Sequence, residues 1–457
     1  SDLLERYQSF PSRVLDNERW FADRGAGVAL DLKATFQFQS SLDQTVYLTI
    51  NLYSLPTTLQ FFYYLPLFIT SRPYPGQTPY FSQDNYFFYD GIPTAEYISW
   101  VEQMMLERSP VTTFFSPGSL VFTAGPPRKD VVFKALGSSS NSLLFVTHQY
   151  LLKNYRRVFP GENPELRMGL ALTGLGSEFI PALLGHFSYL PEPGVEYTLG
   201  LFQEKLEHQG TGWVVWERLL QSGLVDDQTE LLREAYLLGQ ILAGLHREMD
   251  IVARNQGRWT DFNTGLVQQR LEQLNVTVQT EMTPKIPELA ATVTQYLSRL
   301  ATKFPERAAL GRAFRIHGDL HLEQVLQTVN GWKVIDFEGE PLKSITEREY
   351  YDSPLKDLAS LLRSVSYRVQ TLVTMESDAW ELRLQNKLLQ GYRETGFGIK
   401  DNFLPAGPEF DQLINLFQLE RVVYEYIYES QYRPDWVKIP LTGLRRLLEQ
   451  KAKEETE

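Results

Sequence analysis

The residues whose types and spacing best suit chemistry lie between positions 317 and 336. His317 and Gly318 precede Asp319 in a polar loop, Gln324 follows five residues later, and Asp336 closes the next apolar run. Carboxylate and amide oxygens are the ligands that Mg²⁺ prefers, and a carboxylate that binds no metal can orient or deprotonate an attacking hydroxyl. A single acidic residue beside a turn is usually only solvated. The combination is far rarer and predicts magnesium and phosphate chemistry.

A hairpin has to bring these groups together. Asn330-Gly331 lies between two alternating apolar runs, which is the strongest short-range signal for a two-residue turn. A turn centred on these two residues places Asp336 opposite Val325, beside Gln324. We therefore expect oxygens from the loop and from both strands at one end of the hairpin.

A second group of residues, further upstream, has the pattern of a phosphate site. A loop of small polar residues precedes an apolar strand at 143–146, and backbone N–H groups of such a loop can approach phosphate oxygens. Lys153, on the predicted returning strand 150–155, is expected under the loop, where kinases place the lysine that binds the α and β phosphates. A serine-rich loop by itself is more often a plain turn. The loop residues are Ser138, Ser139, Ser140, Asn141 and Ser142.

Composition limits the possible functions. The 457 residues are enough for two or three domains or lobes. The formal charge of -12 argues against a nucleic-acid partner, which would require a basic face. No cysteine is present, which excludes disulfides, thiolate metal sites and a cysteine nucleophile. The longest aromatic and apolar run is too short for a membrane span, and no signal peptide is visible, so a cytoplasmic enzyme is expected.

The secondary-structure pattern changes along the chain. The first hundred residues favour strands at 28–38, 45–53 and 60–70 and one short helix at 97–106, and two further strands are expected at 179–189 and 197–205. Asn163-Pro164 predicts the start of a helix that ends at Gly174. Beyond residue 227, apolar residues recur at helical spacing. The predicted helices cover 228–249, 262–279, 286–303, 353–373, 377–395, 410–432 and 440–453.

Several of these motifs resemble a known family. The order HGD, a polar amide five residues on and an Asp after the next strand looks like the aminoglycoside phosphotransferase and protein-kinase-like fold. The strings HGDLHLEQVL, IDFEGEP and DSPLKDLASLLRS resemble the bacterial maltokinases, which make maltose 1-phosphate from maltose and ATP. SSNS and LLKNYRR resemble the serine loop and lysine strand of the same family.

The resemblance implies an α+β, bilobal architecture. Residues 1–110 would form a β-rich cap, residues 111–206 the nucleotide-binding part of the amino-terminal lobe, and residues 207–457 a mostly helical carboxy-terminal lobe. The hinge that receives the adenine edge would consist of Glu204, Lys205 and Leu206. Asp357, in the string DLA, would support the catalytic loop, and His246 is expected to have a core or capping role.

One position departs from the family pattern. Maltokinases carry the glutamate that holds the lysine near the string NPDxE, whereas this chain has Arg167 at the matching position and Glu165 two residues earlier. Two residues are about 200 degrees on a helix. Either Lys153 pairs with the shifted Glu165, or it depends on other groups.

The acceptor would bind to the segment VYEYIYESQYRPDW, which resembles the maltokinase string YEVxYExxxRPxW. At helical spacing, Tyr424 and Tyr428 share one face, and Glu425 and Glu429 share the neighbouring face. Aromatic faces stack on sugar rings and carboxylates accept from sugar hydroxyls, but such a stripe can also be core tyrosine with solvated glutamate. Arg363 and Tyr367 could form a buried ion pair or contact the ligand. The residues predicted to bind the phosphoryl acceptor are His317, Glu338, Arg363, Tyr367, Tyr424, Tyr428, Glu429, Arg433 and Trp436.

The sequence thus predicts a maltokinase that uses ATP and Mg²⁺. Asp319 would be the catalytic base, Gln324 and Asp336 the metal ligands, and Lys153 with the serine loop the phosphate site. Some maltokinases are fused to, or associated with, a trehalose synthase, and the resemblance implies the same partner here. A glucosamine or other monosaccharide kinase of this fold is the alternative, and a pseudokinase-like nucleotide-binding module is the non-enzymatic one.

Overall fold

The computed structural model describes most of the chain. Its described residues are 2–39, 46–56, 60–107, 111–112, 118–123, 133–136, 141–146, 150–223, 229–306, 308–340, 343–372, 377–398 and 402–454. They form two compact units, the first made of residues 1–170 and 181–206 and the second of residues 171–180 and 207–457. The division into three parts at residues 110 and 206 stays a prediction.

The first unit is mostly β-structure, as the pattern of its residues predicts. Its elements, in chain order, are α1 (Asp2–Tyr7), β1 (Ser9–Pro11), β2 (Ala29–Gln39), β3 (Val46–Ser54), β4 (Phe62–Tyr64), β5 (Leu67–Thr70), β6 (Phe81–Gln83), β7 (Tyr86–Asp90), α2 (Ala95–Glu107), β8 (Val111–Thr112), β9 (Ser119–Thr123), β10 (Phe133–Leu136), β11 (Asn141–Val146), β12 (Tyr150–Tyr155), β13 (Arg157–Val158), α3 (Pro164–Gly174), β14 (Leu183–Glu192) and β15 (Val195–Glu204).

The first sheet packs on two hydrophobic clusters. Along β2, Leu30 and Leu32 are buried in one hydrophobic cluster, whereas Ala34 and Phe36, beyond a register shift between Leu32 and Ala34, are buried in another. Among the described residues the strand order is β1-β2-β3-β5-β7-β6, and β4 pairs with both β3 and β13. The single strand predicted at 60–70 is wrong, because Pro66 cannot donate to a ladder and separates β4 from β5.

The second sheet carries the predicted lysine strand. Its described strands follow the order β10-β11-β12-β15-β14-β9-β8, and Lys153 in β12 pairs with Leu143 on one side and Leu201 on the other. A central position of this kind fixes the backbone of the lysine by ladders on both edges. The strand predicted from residue 179 begins only at Leu183, after Pro181, which has no N–H to donate.

The second unit is mostly helical. After β16 (His208–Thr211) and α4 (Gly212–Gly223), its elements are α5 (Thr229–Asn255), β17 (Trp259–Asn263), α6 (Thr264–Thr277), α7 (Pro287–Ala301), β18 (Ala309–Phe314), β19 (Val325–Thr328), β20 (Gly331–Val334), α8 (Ile345–Arg348), α9 (Leu355–Leu372), α10 (Ser377–Phe397), α11 (Glu409–Tyr432) and α12 (Lys438–Glu454). Each of the seven helices predicted in this part has its counterpart here. None of the described helices combines the length and apolar character that crossing a bilayer requires.

Candidate functional site

Lys153 and Glu165 form a buried ion pair in the first unit. Lys153 Nζ lies 2.6 Å from Glu165 Oε2, and the two side chains are 8% and 3% exposed. The hydroxyl of Tyr155 donates to the same carboxylate oxygen at 2.6 Å, and Gln203 Nε2 lies 3.4 Å from the other. The carboxylate is therefore held by several donors as well as by the lysine charge. Of the two alternatives left by the sequence, the first applies: the partner of Lys153 is Glu165.

The start of α3 explains why the shifted glutamate fits. Asn163 Oδ1 accepts from the backbone N–H groups of Glu165 and Leu166 at 2.9 and 3.1 Å, so Asn163 is the N-cap and Glu165 lies in the first turn. Arg167 lies two positions further round the helix, where its Nη1 is 3.7 Å from Glu162 Oε2. The departure from the family pattern therefore moves the glutamate by half a turn without removing it.

The structure describes only some of the other residues that were predicted to bind the nucleotide. Ser138, Ser139 and Ser140 lie outside the described residues. The backbones of Asn141 and Ser142 begin β11 and pair with Tyr155 and Asn154, so these two residues belong to a strand instead of a loop.

The predicted hinge follows β15 directly. The N–H of Glu204 donates to the Ala182 carbonyl at 2.8 Å, so this amide is already used within the first unit. Lys205 and Leu206, which have no regular secondary structure, stay the predicted adenine contacts.

In the second unit, Asp357 holds the loop that carries Asp319. Its two carboxylate oxygens accept from the backbone N–H groups of His317 at 2.8 Å and Gly318 at 2.9 Å. Behind it, His246 Nε2 lies 3.4 Å from Asp357 Oδ2, and His246 Nδ1 lies 2.8 Å from the Tyr392 hydroxyl. Asp357 and His246 are almost completely buried. These are the supporting and core positions that the sequence predicts for the two residues.

The charge of Asp357 is stabilised where it lies. Burial works to raise the pKa of this carboxyl, but His246, His317 and the Gly318 N–H outweigh burial and hold the pKa below its usual range. An ionised carboxylate at the start of α9 can therefore keep both backbone donors of the loop fixed at neutral pH.

The hairpin forms with a different register from the predicted one. Thr328 pairs with Gly331 and Val325 with Val334, so Val329 and Asn330, not Asn330-Gly331, are the central turn residues. The Thr328 hydroxyl explains the shift, because it accepts from the Asn330 N–H at 3.1 Å and donates to the Gly331 carbonyl at 2.7 Å. The expectation that Asp336 lies opposite Val325 is therefore wrong.

Gln324 and Asp336 nevertheless come together. Gln324 Nε2 lies 3.3 Å from Asp336 Oδ2, and the Gln324 carbonyl accepts from the Ile335 N–H at 3.0 Å. Asp336 has a φ of 69°, a left-handed conformation that glycine, asparagine and aspartate adopt more readily than other residues. In the contact with Gln324 the amide nitrogen faces the carboxylate. The amide oxygen of Gln324 and the carboxylate of Asp336 are ligand types that a divalent cation prefers.

A cavity of about 500 Å³ opens beside Asp319, lined entirely by the second unit. Six predicted acceptor residues line it together with the predicted base Asp319: they are Tyr367, Tyr424, Tyr428, Glu429, Arg433 and Trp436. The other lining residues are Trp213, His321, Glu323, Glu340, Ser360, Ser364, Arg421 and Glu425.

Three predicted acceptor residues do not line this cavity. His317 is 1% exposed, and its Nε2 lies 2.9 Å from the Ile335 carbonyl, so its side chain packs against the segment that follows β20. Arg363 is 2% exposed and donates from Nε and Nη2 to Glu425 Oε2 at 3.1 and 2.9 Å, which makes it the buried ion pair of the two alternatives. Glu338 lies outside the lining, which instead includes Glu340.

Aromatic rings and one buried glutamate form one wall of the cavity, and α11 contributes most of these residues. The rings of Tyr424 and Tyr428 are stacked with centroids 6.2 Å apart, and those of Tyr367 and Trp436 are stacked at 6.5 Å. Glu429 Oε1 accepts from Arg433 Nη2 at 2.6 Å and from the Tyr367 hydroxyl at 3.3 Å. Its Oε2 is buried and has no hydrogen-bond partner among the described residues. The wall thus combines ring faces with an acceptor oxygen.

The surroundings of Asp319 tune its acidity. Burial raises the pKa of this carboxyl to about 6; Arg421 and His317 limit the rise, whereas Glu340 and Asp336 add to it. Burial lowers the pKa of His321 to about 4, with Arg421 and His317 acting in the same direction, so this imidazole is neutral at pH 7. A carboxylate with a pKa near 6 is ionised at neutral pH and can still accept a proton, as a general base must.

Several lining residues were not predicted from the sequence. Arg421 lies on the same helix as the predicted tyrosines and precedes Tyr424 by three positions, so helical spacing could have indicated it. Ser360 and Ser364 on α9, and Trp213 at the start of α4, come from elements whose packing no local pattern reveals. Glu340 could have been found only from the turn that follows Asp336.

Comparisons with known proteins show what this chain is similar to. No family model matches the chain. The glucosamine kinase of Streptacidiphilus jiangxiensis is 27% identical over 257 residues, which cover 54% of this chain and 56% of that protein. The match therefore spans little more than half the length of this curated relative.

Solved structures match over nearly the whole chain. A glucosamine kinase in complex with glucosamine, ADP and inorganic phosphate has a TM-score of 0.67 and 19% identity, and the match covers 96% of this chain and 97% of that one. A second crystal form of a glucosamine kinase gives a TM-score of 0.68 at 18% identity with the same coverage. The expected α+β, protein-kinase-like fold is therefore confirmed, and this chain shares it with solved glucosamine kinases.

Proposed function

We propose that this chain is an ATP-dependent kinase whose acceptor is an amino sugar of the glucosamine class. The observation that carries the proposal is the charge of the cavity at Asp319. Five carboxylates line it, from Asp319, Glu323, Glu340, Glu425 and Glu429, against the two arginines Arg421 and Arg433. Even with Glu425 offset by Arg363 behind it, carboxylates exceed cations, and such a site favours an ammonium-bearing sugar over a neutral one.

Asp319 acts as the general base on the acceptor hydroxyl. It lies in the cavity on a loop whose backbone is fixed by Asp357. A fixed base removes the need to reorganise before proton transfer, and general-base assistance typically contributes about 10²- to 10⁴-fold in rate. The phosphoryl group passes from ATP to the deprotonating hydroxyl oxygen, and ADP leaves.

The first unit supplies the contacts to the nucleotide. Lys153, held by Glu165, would bind the α and β phosphates of ATP, as the corresponding lysine does in kinases. Lys205 and Leu206 would offer backbone groups to the adenine edge.

Gln324 and Asp336 would hold Mg²⁺ in the second unit. The cation, when bound, supplies charge to the phosphate oxygens as the transferred group develops negative charge. Asp336 follows the strand that ends at Val334, and its carboxylate accepts from the Gln324 amide at 3.3 Å, so the two side chains are neighbours.

Maltose is the second candidate acceptor. The stacked pairs Tyr424–Tyr428 and Tyr367–Trp436 present ring faces of the kind that pack on sugars, and a cavity of about 500 Å³ has room for more than one sugar ring. Phosphorylation on the anomeric hydroxyl of maltose, with a trehalose synthase as partner, would follow from this alternative.

A sugar panel with ATP and Mg²⁺ tests the proposal. Purified protein is given glucosamine, glucose, N-acetylglucosamine or maltose, and ADP release is measured. We expect kcat/KM for glucosamine to exceed that for glucose and N-acetylglucosamine by about 10-fold or more, because only the first is a cation. Faster turnover of maltose would replace the proposed acceptor and keep the kinase. ADP release with none of the sugars would rule out the proposed activity.

A further inference from the structure

Arg421, on α11, lies between the base and the acidic wall of the cavity. Its Nη1 is 3.9 Å from Asp319 Oδ1, and its Nε is 3.7 Å from Glu425 Oε1. The guanidinium also lies 5.4 Å from the ring centroid of Tyr424, so the side chain packs along one aromatic face. One cation thus faces two carboxylates that come from different parts of the fold, the loop after β18 and α11.

Glu425 is itself fixed from behind. Arg363, on α9, donates two hydrogen bonds to Glu425 Oε2, and both residues are buried. Gly443, on α12, leaves the space that the Arg363 guanidinium occupies, since a Cβ there would lie 2.8 Å from Arg363 Cζ. Charges therefore alternate from the helix interface to the base, in the order Arg363, Glu425, Arg421, Asp319.

The other titratable groups around Asp319 do not replace Arg421 as its cation. His321 Nε2 lies 4.0 Å from Asp319 Oδ2, but this ring is neutral at pH 7 because burial lowers its pKa to about 4. His321 Nδ1 accepts from the Glu323 N–H at 3.2 Å, so the ring proton is on Nε2, toward the base. Glu340 and Asp336 act in the opposite direction to Arg421, and His317 lies within the loop.

We propose that Arg421 is a positioning residue for the base: its guanidinium keeps Asp319 ionised and aimed into the cavity, and the Arg363–Glu425 pair holds that guanidinium in place. The inference rests on the proposed function, because it assigns Arg421 its part in the reaction that Asp319 would catalyse. At 3.7 and 3.9 Å the guanidinium is close enough to act through charge, and far enough from both carboxylates to leave their hydrogen-bonding positions to an acceptor.

The pH dependence of turnover tests this role. Arg421→Gln and Arg421→Met remove the charge, and the methionine keeps a stem that packs on Tyr424. With glucosamine as acceptor, we expect the acid-side midpoint of kcat/KM to move up by about one pH unit in both variants, and to return toward the wild-type value in Arg421→Lys. Arg433→Gln is the matched control, because it removes an arginine of the same cavity that pairs with Glu429. Its midpoint should stay in place, even if kcat/KM falls.

A titration without substrate separates this inference from the proposed function. The ¹³C resonance of the Asp319 carboxyl, assigned by its absence in Asp319→Asn, is followed against pH in the wild type and in the Arg421 variants. A higher midpoint in Arg421→Gln and Arg421→Met supports the inference, whether or not glucosamine is turned over. An unchanged midpoint in either folded variant overturns it. Failure of the wild type to phosphorylate any sugar would instead count against the proposed function alone.

Discussion

The two units hold their charged groups in different ways. In the first unit, Lys153 and Glu165 are in direct contact at 2.6 Å, buried, with further donors on the same carboxylate. In the second unit, Asp319 has its nearest cation, Arg421, at 3.9 Å and the neutral His321 at 4.0 Å. The Lys153–Glu165 pair already has close hydrogen-bond partners. The carboxylate of Asp319 instead has room beside its oxygens, where a substrate hydroxyl could bind.

This difference has an energetic meaning. A buried pair that loses one partner leaves an uncompensated charge, so changes to it act on stability as well as on ligand binding. The Asp319 carboxylate has a raised pKa, because burial outweighs the favourable effect of Arg421, so its ionised form adds no net stability at neutral pH. Changes to it should therefore act on chemistry. Substitutions test this difference. A change in the Lys153–Glu165 pair that left stability unaltered, or a change at Asp319 that lowered stability, would contradict it.

The largest effect is expected for Asp319→Asn. The amide cannot accept the hydroxyl proton, so kcat should fall by about 10²- to 10⁴-fold with the preferred sugar. Thermal stability at pH 7 should not fall, because burial raises the pKa of Asp319 to about 6 and the ionised form is therefore the less favourable one in the folded state. Coupled ADP assays measure kcat, and calorimetry measures thermal stability. An active variant would show that the base is a different residue.

Glu165→Gln should act on stability first. It leaves the Lys153 ammonium buried without its carboxylate, which costs about 3–5 kcal/mol in the free energy of unfolding, and it should also raise KM for ATP. Urea denaturation and ATP kinetics provide the measurements. Glu162→Gln is the matched control, because Glu162 is half-exposed and faces Arg167 at 3.7 Å, so the change should cost less than about 1 kcal/mol. Equal effects of the two changes would contradict a special role for Glu165.

Glu429→Gln should act on acceptor binding and not on ATP binding. The carboxylate lines the cavity, and a charged hydrogen bond to a ligand is worth about 1.5–3 kcal/mol, so KM for glucosamine should rise by about 10- to 150-fold. The rise for glucose should be smaller, because a neutral sugar loses no ion pair. Asp435→Asn changes an exposed acid near Trp436 that does not line the cavity, and it should leave both KM values in place. A rise in KM for ATP of the same size would argue that Glu429 has no acceptor role.

The acid side of the pH profile gives a smaller and graded effect. The pKa of Asp319 is raised, so the base is ionised above about pH 6 and protonated below it. With the preferred sugar, kcat/KM should fall by about 10-fold for each pH unit below this midpoint, and it should be level above it until the ammonium of the sugar begins to lose its proton. His321 does not titrate in this range, because its pKa is lowered to about 4. A profile that rises as the pH falls through this range would exclude Asp319 as the base.

The loop that carries Asp319 and helix α11 show what can be predicted from local sequence. Asp319, Gln324, Asp336, Tyr424 and Tyr428 were identified because turn signals and helical spacing are properties of short segments. The hairpin register was predicted wrongly by two residues, since the Thr328 hydroxyl competes for the turn hydrogen bonds and selects Val329-Asn330. A side-chain hydrogen bond of this kind is not visible in a hydrophobic pattern.

Contacts between distant segments could not be predicted from the sequence, for a different reason. Arg363 and Glu425 are 62 positions apart, and His246 and Tyr392 are 146 apart. Nothing in either local pattern selects the partner, because the pairing follows from how α5, α9, α10 and α11 pack. This is why the sequence left Arg363 between an ion pair and a ligand contact, and why Arg421 was not identified.

The smallest expected effect comes from a residue outside both groups, Gly443→Ala. In a helix this change is favourable by about 0.5–1 kcal/mol, but here the added Cβ would lie 2.7 and 2.8 Å from Nη2 and Cζ of Arg363, a buried guanidinium that cannot move without disturbing Glu425. We expect the two effects on stability to cancel largely, and kcat/KM for the acceptor to fall by about 3- to 10-fold, less than the roughly 100-fold that a 1 Å misplacement of reacting groups costs. Gly174→Ala, at a helical glycine with open space around it, is the control and should leave kcat/KM in place. Gly443→Ala could leave acceptor kinetics unchanged while Arg421→Gln altered them. In that case Arg421 would position Asp319 without help from Arg363, and the Arg363–Glu425 pair behind the cavity would have no part in the geometry of the site.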